Sequence, residues 1–454
     1  MKRVTPVTVR KLLFMAVASM CISSDTLSSQ AEPLSPIVTN ITAGSVAAAA
    51  LREGSQASSG ASLSADAPTN TDRAPAFLGR GDIKGIDISP PVNEWDAATY
   101  GMTPVRLANL AAAGFNTHRV WISLSDFMEP PVNLDASVLK WVEYINRSVQ
   151  AGFRAQVGMG VTWEEATLIV NDETTRNRFN IGLRALCRAL GSYFSETQVA
   201  LELLNEPPGK DRIPSYYSVA APSWFKNCRG AAPHMTIILQ PEMGWYDGLH
   251  EFDLADYDWN TMFSFHPYSP GEFTHQGIGN QPHLYNVPMP ITRYVGGKKK
   301  MLEDVAARVN ADPALSGPRK AAEIRRYADI LDFLWWNDGK HWEDWTTLRQ
   351  WIASTGINPK RIVAGEFGVV SEHNYNGTPA LPDVWSRAHY MRKIKDQTEA
   401  NNLAGWVVHQ ALGDFNLFRQ RSHDSHLSTL IPELVTALFS ADPLPEGPRI
   451  IGNH

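Results

Sequence analysis

From about Pro75 onward, short apolar runs alternate with longer stretches in which apolar residues recur every three or four positions. This is the rhythm of a strand followed by a helix, repeated along the chain. The short runs predict strands at 85–89, 117–122, 154–158, 199–204, 236–239, 261–265, 361–365 and 405–409. The amphipathic stretches predict helices at 104–113, 136–151, 173–193, 385–401 and 428–439, whereas 244–260, where a fifth helix belongs, reads mostly as loop. Eight strand-helix units predict an α/β fold, a (β/α)8 TIM barrel rather than a doubly wound sheet. About ninety residues separate the sixth strand from the seventh, far more than a connecting loop needs. Helical periodicity at 301–310 and 319–335 predicts a helical insertion there. Trp335, Trp336, Trp342 and Trp345 cluster in it, equally suited to a cleft wall or to a small helical subcore.

The N-terminal part has no such rhythm. Lys2, Arg3, Arg10 and Lys11 precede an apolar run at 12–22 that is too short for a permanent membrane span, and Ser29-Gln30-Ala31 offers a small-residue cleavage site. Residues 1–31 are therefore expected to be a signal peptide, which makes the mature protein secreted or periplasmic with no stable membrane insertion after cleavage. Residues 32–77 are rich in Ala, Ser, Gly and Thr with no periodic apolar face, the mark of a disordered linker. That leaves 78–454 as the folded barrel, expected to be a monomer.

Composition agrees with this division. The chain has 454 residues, is 43% hydrophobic, and carries all 14 tryptophans at or beyond Trp95, so the larger part can bury a sizeable core. Disorder throughout, collagen-like repeats and a small disulfide scaffold are excluded. Lys and Arg number 41 against 47 Asp and Glu, a net charge of -6. Loss of residues 1–31 removes four basic residues and Asp25, which takes it to -9. With no like-charge block longer than Lys298-Lys299-Lys300, the basic footprint of nucleic-acid binding is missing. Of three cysteines only Cys187 and Cys228 remain after cleavage, which fits one disulfide or two buried thiols.

A parallel barrel carries its chemistry at the carboxyl ends of the strands. After the fourth strand comes Asn205-Glu206-Pro207, and after the seventh Gly365-Glu366-Phe367-Gly368, whose glycines permit close backbone and ligand approach. The sixth ends in His266-Pro267-Tyr268, the second carries Arg119, and the eighth carries Trp406. Each has a bland explanation alone, yet their placement at five strand ends outweighs it. Two carboxyl groups across one cleft are what glycosidic cleavage needs, one to protonate the leaving oxygen and one to attack the anomeric carbon or activate water. Arg119 and Tyr268 would keep Glu366 ionised, leaving Glu206 as the acid. Asn205 would hold a sugar hydroxyl, and Trp406, with Trp163 and Trp245 near other strand ends, would offer flat apolar faces to sugar rings. The chain has no HExxH or CxxC pair, GxSxG elbow or GxxxxGK[ST] loop, and the chemistry requires no metal or organic cofactor.

At these residues the chain resembles glycoside hydrolase family 5, the cellulase-like members of a large clan of barrel glycosidases, over roughly 85–410. The resemblance implies a retaining mechanism with Glu206 as acid/base and Glu366 as nucleophile. It further implies that Arg119 and Tyr268 orient the nucleophile, that His266 and Asn205 line the sugar site, and that Trp406 stacks beneath it. One departure is visible. Many members carry a His after the third strand, whereas this strand continues Val157-Gly158-Met159-Gly160-Val161-Thr162-Trp163, and Trp163 is expected to take over that contact. The expected function is a secreted retaining endo-β-1,4-glucanase acting on β-linked polysaccharide. The alternatives are an endo-β-mannanase, a hydrolase of another exopolysaccharide, or a carbohydrate-binding barrel without turnover.

Overall fold

A computed structural model describes residues 73–88, 103–123, 126, 134–160, 162–209, 213–337, 345–371, 374–375, 378–379, 382–412, 414–418 and 429–452. The expected signal peptide, most of the expected linker, Trp342 and the side chain of Trp163 lie outside the described residues. Eight parallel strands close into a barrel, β1 (Ile83–Ile88), β2 (Thr117–Ser123), β3 (Arg154–Gly160), β4 (Val199–Glu202), β5 (Thr236–Leu239), β6 (Thr261–Phe265), β7 (Ile362–Phe367) and β8 (Gly405–Val408). Each pairs with its sequence neighbours, and β8 closes the ring on β1 with Gly85 opposite Val407. The register shifts between β8 and β7, where Trp406 faces Ala364 but Val408 faces Phe367. The fold is thus the expected (β/α)8 barrel.

Around it run α1 (Pro104–Ala113), α2 (Leu134–Gln150), α3 (Trp163–Asn171), α4 (Glu173–Tyr193), α5 (Ala221–Ala231), α6 (Gly297–Ala311), α7 (Gly317–Asn337), α8 (Thr346–Thr355), α9 (Val384–Ala400) and α10 (Pro432–Phe439). Local chemistry sets several of their ends. Thr103 caps α1, with Pro104 in the first turn and left-handed Gly114 closing it. Thr162 and Glu165 form a reciprocal capping box on α3, and the Asp383 carboxylate accepts from the amides of Trp385 and Ser386 on α9. The 244–260 stretch, read from sequence as loop, folds into short 3-10 turns over Tyr246–Glu251 and Leu254–Asp256. Between β6 and β7 lie α6, α7 and α8.

Two cores follow from this arrangement. The larger fills the space between strands and helices. The smaller lies inside the barrel, where Ile83, Ala200, Ile238, Met262, Val363 and Val407 meet Phe77. Phe77 belongs to a short helix, Ala76–Arg80, and is fully buried. This corrects the expected boundary: the ordered part begins before residue 78, because an apolar ring closes the barrel floor from a segment whose composition resembled linker. Cys187 of α4 and Cys228 of α5 form a disulfide.

Candidate active site

Side chains that alternate along each strand point into the barrel, and above the apolar floor this inner set becomes polar. Arg119 on β2 is its centre and is wholly buried. Its guanidinium donates to Glu202 at 2.5 and 3.1 Å, to Asp87 at 3.0 Å, to Glu366 at 2.6 Å and to Asn205 at 2.7 Å. Gln156 and Gln240 donate to Glu202 at 2.6 and 2.5 Å, completing the acceptors of that buried carboxylate. Burial opposes the charge on Arg119, but Glu202, Asp87 and Glu366 together raise its pKa well above the ordinary arginine value. Such a network is costly to desolvate, and fixed orientation of its members is its return.

Glu366, near the end of β7, is 7% exposed and receives two bonds, from Arg119 on Oε2 and from the Tyr268 hydroxyl on Oε1 at 2.9 Å. Burial alone would raise its pKa; His409, His266, Arg119 and the Tyr268 bond overcome this and hold it at about 2. The Tyr268 phenol, raised well above its ordinary value by burial and by the charges of Glu366 and Glu206, keeps its proton to donate. The glycines around Glu366 serve the protein rather than a ligand. A Cβ at Gly365 would collide with the Ser264 hydroxyl, and one at Gly368 with the His409 carbonyl.

Glu206 follows β4 with a positive φ of 41°, a conformation that side-chain-bearing residues rarely adopt. Its amide donates to the Gln240 side chain at 2.8 Å, which holds the turn. His266 Nδ1 lies 2.7 Å from Glu206 and 3.8 Å from Glu366, and one ligand-type oxygen from each carboxyl group lies within 4.8 Å of the other and of His266. Asp87, Glu366 and His409 form a second triad of the same compactness. In the second, the Arg119 guanidinium already supplies the cation that both carboxylates share, whereas in the first it contacts Glu366.

The structure therefore brings together Arg119, Asn205, Glu206, His266, Tyr268 and Glu366. Two of these side chains are held by the network itself: His266, 3% exposed, sets its Nδ1 against both carboxyl groups, and Asn205 accepts from Arg119 on its carbonyl oxygen. Trp406 is a clear correction. It is 2% exposed and packs edge-on against Phe115 and Phe439 in the helical layer, so it has no face to offer a sugar. Trp245 is half-buried in the loop after β5. In the segment between β6 and β7, Trp345 is buried with its ring 5.1 Å from that of Phe265, Trp335 packs partly on the same core, and Trp336 is exposed.

Sequence reasoning passed over Asp87, Gln156, Glu202, Gln240 and His409, all in or beside this network, and Trp121. The half-buried Trp121 lies one inward position beyond Arg119, whose guanidinium carbon is 4.6 Å from its ring centre. The missed signal was a charged or amide residue embedded in an apolar run, as in Ile86-Asp87-Ile88 and Leu201-Glu202-Leu203.

Comparison with known proteins agrees with this geometry. The family model described as Cellulase (glycosyl hydrolase family 5) matches residues 91–410. Cellulose synthase subunit Z of Clostridioides difficile is similar in structure, with a TM-score of 0.54 and 19% identity over 79% of this chain and 99% of that one. A hyperthermophilic endo-β-1,4-glucanase solved with substrate gives 0.54 and 16% identity over 80% and 99%. Cel5A of Thermotoga maritima in complex with cellobiose gives 0.52 and 20% over 80% and 100%. At these identities the structural likeness speaks for the fold. No curated protein matches the chain.

Proposed function

Because the chain belongs to glycosyl hydrolase family 5, we propose that it is a secreted retaining endo-β-1,4-glucanase that cleaves β-1,4-linked polysaccharide. One observation carries the mechanistic part: oxygens of Glu206 and Glu366 approach within 4.8 Å. Retaining enzymes hold their two carboxyl groups about 5–5.5 Å apart, whereas inverting enzymes leave roughly 6.5–9.5 Å for a water. Glu366, held anionic by Arg119 and Tyr268, attacks the anomeric carbon while Glu206 gives its proton to the departing glycosidic oxygen. Water then attacks the glycosyl ester, Glu206 takes its proton, and Glu366 leaves as a carboxylate. His266 steadies Glu206 between these roles, and Trp121 offers an indole near the reacting groups.

Secretion is supported by the basic, apolar and small-residue succession of 1–31 and by the Cys187–Cys228 bond, which suits an oxidising compartment. Endo action and the glucan backbone are tested by reducing-sugar release and viscosity on soluble cellulose, glucomannan and mixed-linkage glucan. A fall in viscosity that outpaces reducing-end formation on cellulose is the expected result. Preference for mannan would move the assignment to a mannanase, and binding without turnover on all three would leave a carbohydrate-binding barrel. Glu366→Ala should abolish turnover and, with azide, give a glycosyl azide of inverted configuration. Glu206→Ala should lose roughly 10²–10⁴-fold and give the retained azide. An inverted first product from the wild type by NMR would overturn the two-step scheme.

A further inference from the structure

His409 follows β8 and shares the inward parity of Val407, one step above the barrel floor. Its Nδ1 is 2.9 Å from Asp87 Oδ2 and 3.7 Å from Glu366 Oε1. Arg119 Nη1 joins the same two carboxyl groups, at 3.0 Å to Asp87 and 2.6 Å to Glu366. Glu366 and Asp87 are therefore bridged twice, once by a guanidinium and once by an imidazole, and the imidazole approaches the Glu366 oxygen that Tyr268 also binds. The charged or titratable groups facing His409 are Asp87 from β1, Arg119 from β2, Glu366 from β7 and His275 after the single-turn helix Gly271–Thr274. Phe415, its ring centre 5.2 Å away, is the apolar neighbour.

We infer that His409 is a positioning residue for Glu366, a cation held by Asp87 that fixes the nucleophile and stabilises it each time it becomes a free carboxylate. The inference rests on reading Glu366 as the nucleophile. In the second chemical step the water oxygen bonds to the anomeric carbon, the ester bond breaks, and its electron pair returns to Glu366 as Glu206 takes the water proton. The charge regained there faces His409. Burial lowers the affinity of His409 for a proton, but Glu366 and the Asp87 bond outweigh it and raise its pKa above the ordinary histidine value, so a cation is the state the site favours.

The experiment uses 2,4-dinitrophenyl 2-deoxy-2-fluoro-β-cellobioside as a trapping probe on the wild type, His409→Asn, His409→Gln and His409→Lys, with circular dichroism to verify folding at each pH. Expected are labelling of the wild type at Glu366, an acid limb of the labelling rate that moves up by about one pH unit in the two neutral variants, and reactivation slowed roughly tenfold in them. His409→Lys, which keeps a cation, should hold the limb near its wild-type position. An unmoved limb with unchanged reactivation in the neutral variants overturns the inference. So does an equal loss at every pH with the limb in place, since that is what packing against Phe415 alone would give. A wild type labelled elsewhere than Glu366 overturns the nucleophile assignment itself, a result distinguishable from the other two.

Discussion

Glu366 is pulled in opposite directions, by burial toward its neutral form and by His409, His266, Arg119 and Tyr268 toward its anion, and the second set prevails at about 2. A carboxyl group depressed in the folded state stabilises that state fully above its unfolded value, roughly 4.3, and loses the contribution as pH falls through the folded value. Between pH 4.3 and 2 the wild type should therefore lose on the order of 2–3 kcal/mol that Glu366→Gln does not lose. Urea unfolding of both proteins at pH 5, 4 and 3 checks this, and parallel decline would refute it. His118 and His275, which burial holds down at about 3 and 4, begin their own decline below pH 6.5 and do so in both proteins. The residue scale also shows what alternation along a strand could have revealed. Val407 is inward, so His409 is inward and Trp406 faces the helices; reading parity on β8 selects the imidazole and rejects the indole. On β7 parity alone fails, because Val363 is inward and the register shift beside Trp406 brings Glu366 inward too. No sequence pattern announces that shift.

At the scale of elements, strands were readable because their outward faces are apolar and their inward faces are apolar at the floor, and helices because their apolar stripe has a different period. The exceptions are α3, α5 and α8, for which no helix was expected. In α5, Pro222 stands in the first helical turn, where a proline lacks only an amide that would have been unpaired. That helix carries Cys228, and the pairing with Cys187 that sequence left open depends on how α4 and α5 lie together. The bond closes a loop spanning a sequence separation of 41 residues. By loop-closure entropy it contributes about 3–4 kcal/mol. The double variant Cys187→Ala/Cys228→Ala should show that drop in unfolding free energy while keeping its turnover number at a temperature where it remains folded. Unchanged stability under reducing and oxidising conditions alike would show that the bond does not form.

For the molecule as a whole, closure of the barrel is the property least visible in periodicity, since eight strands of the same pattern also suit an open sheet. What the closed form requires is a floor, and this chain supplies it from outside the repeating units. Phe77 fills the interior between Ile83, Ala200, Ile238, Met262, Val363 and Val407. Arg154 spans the same end, its guanidinium carbon 5.1 Å from the Phe77 ring and its nitrogens donating to the carbonyls of Phe77, Gly81 and Asp82. The short apolar pair Phe77-Leu78 has no period to betray it, so its packing at the floor is a tertiary fact. Phe77→Ala should leave a cavity at the floor and cost roughly 3–5 kcal/mol. Because the carboxyl groups stand at the opposite end of the strands, kcat at low temperature should stay near the wild-type value. A melting temperature within a degree of the wild type would mean that the floor closes without Phe77, and the barrel would then have to begin at β1.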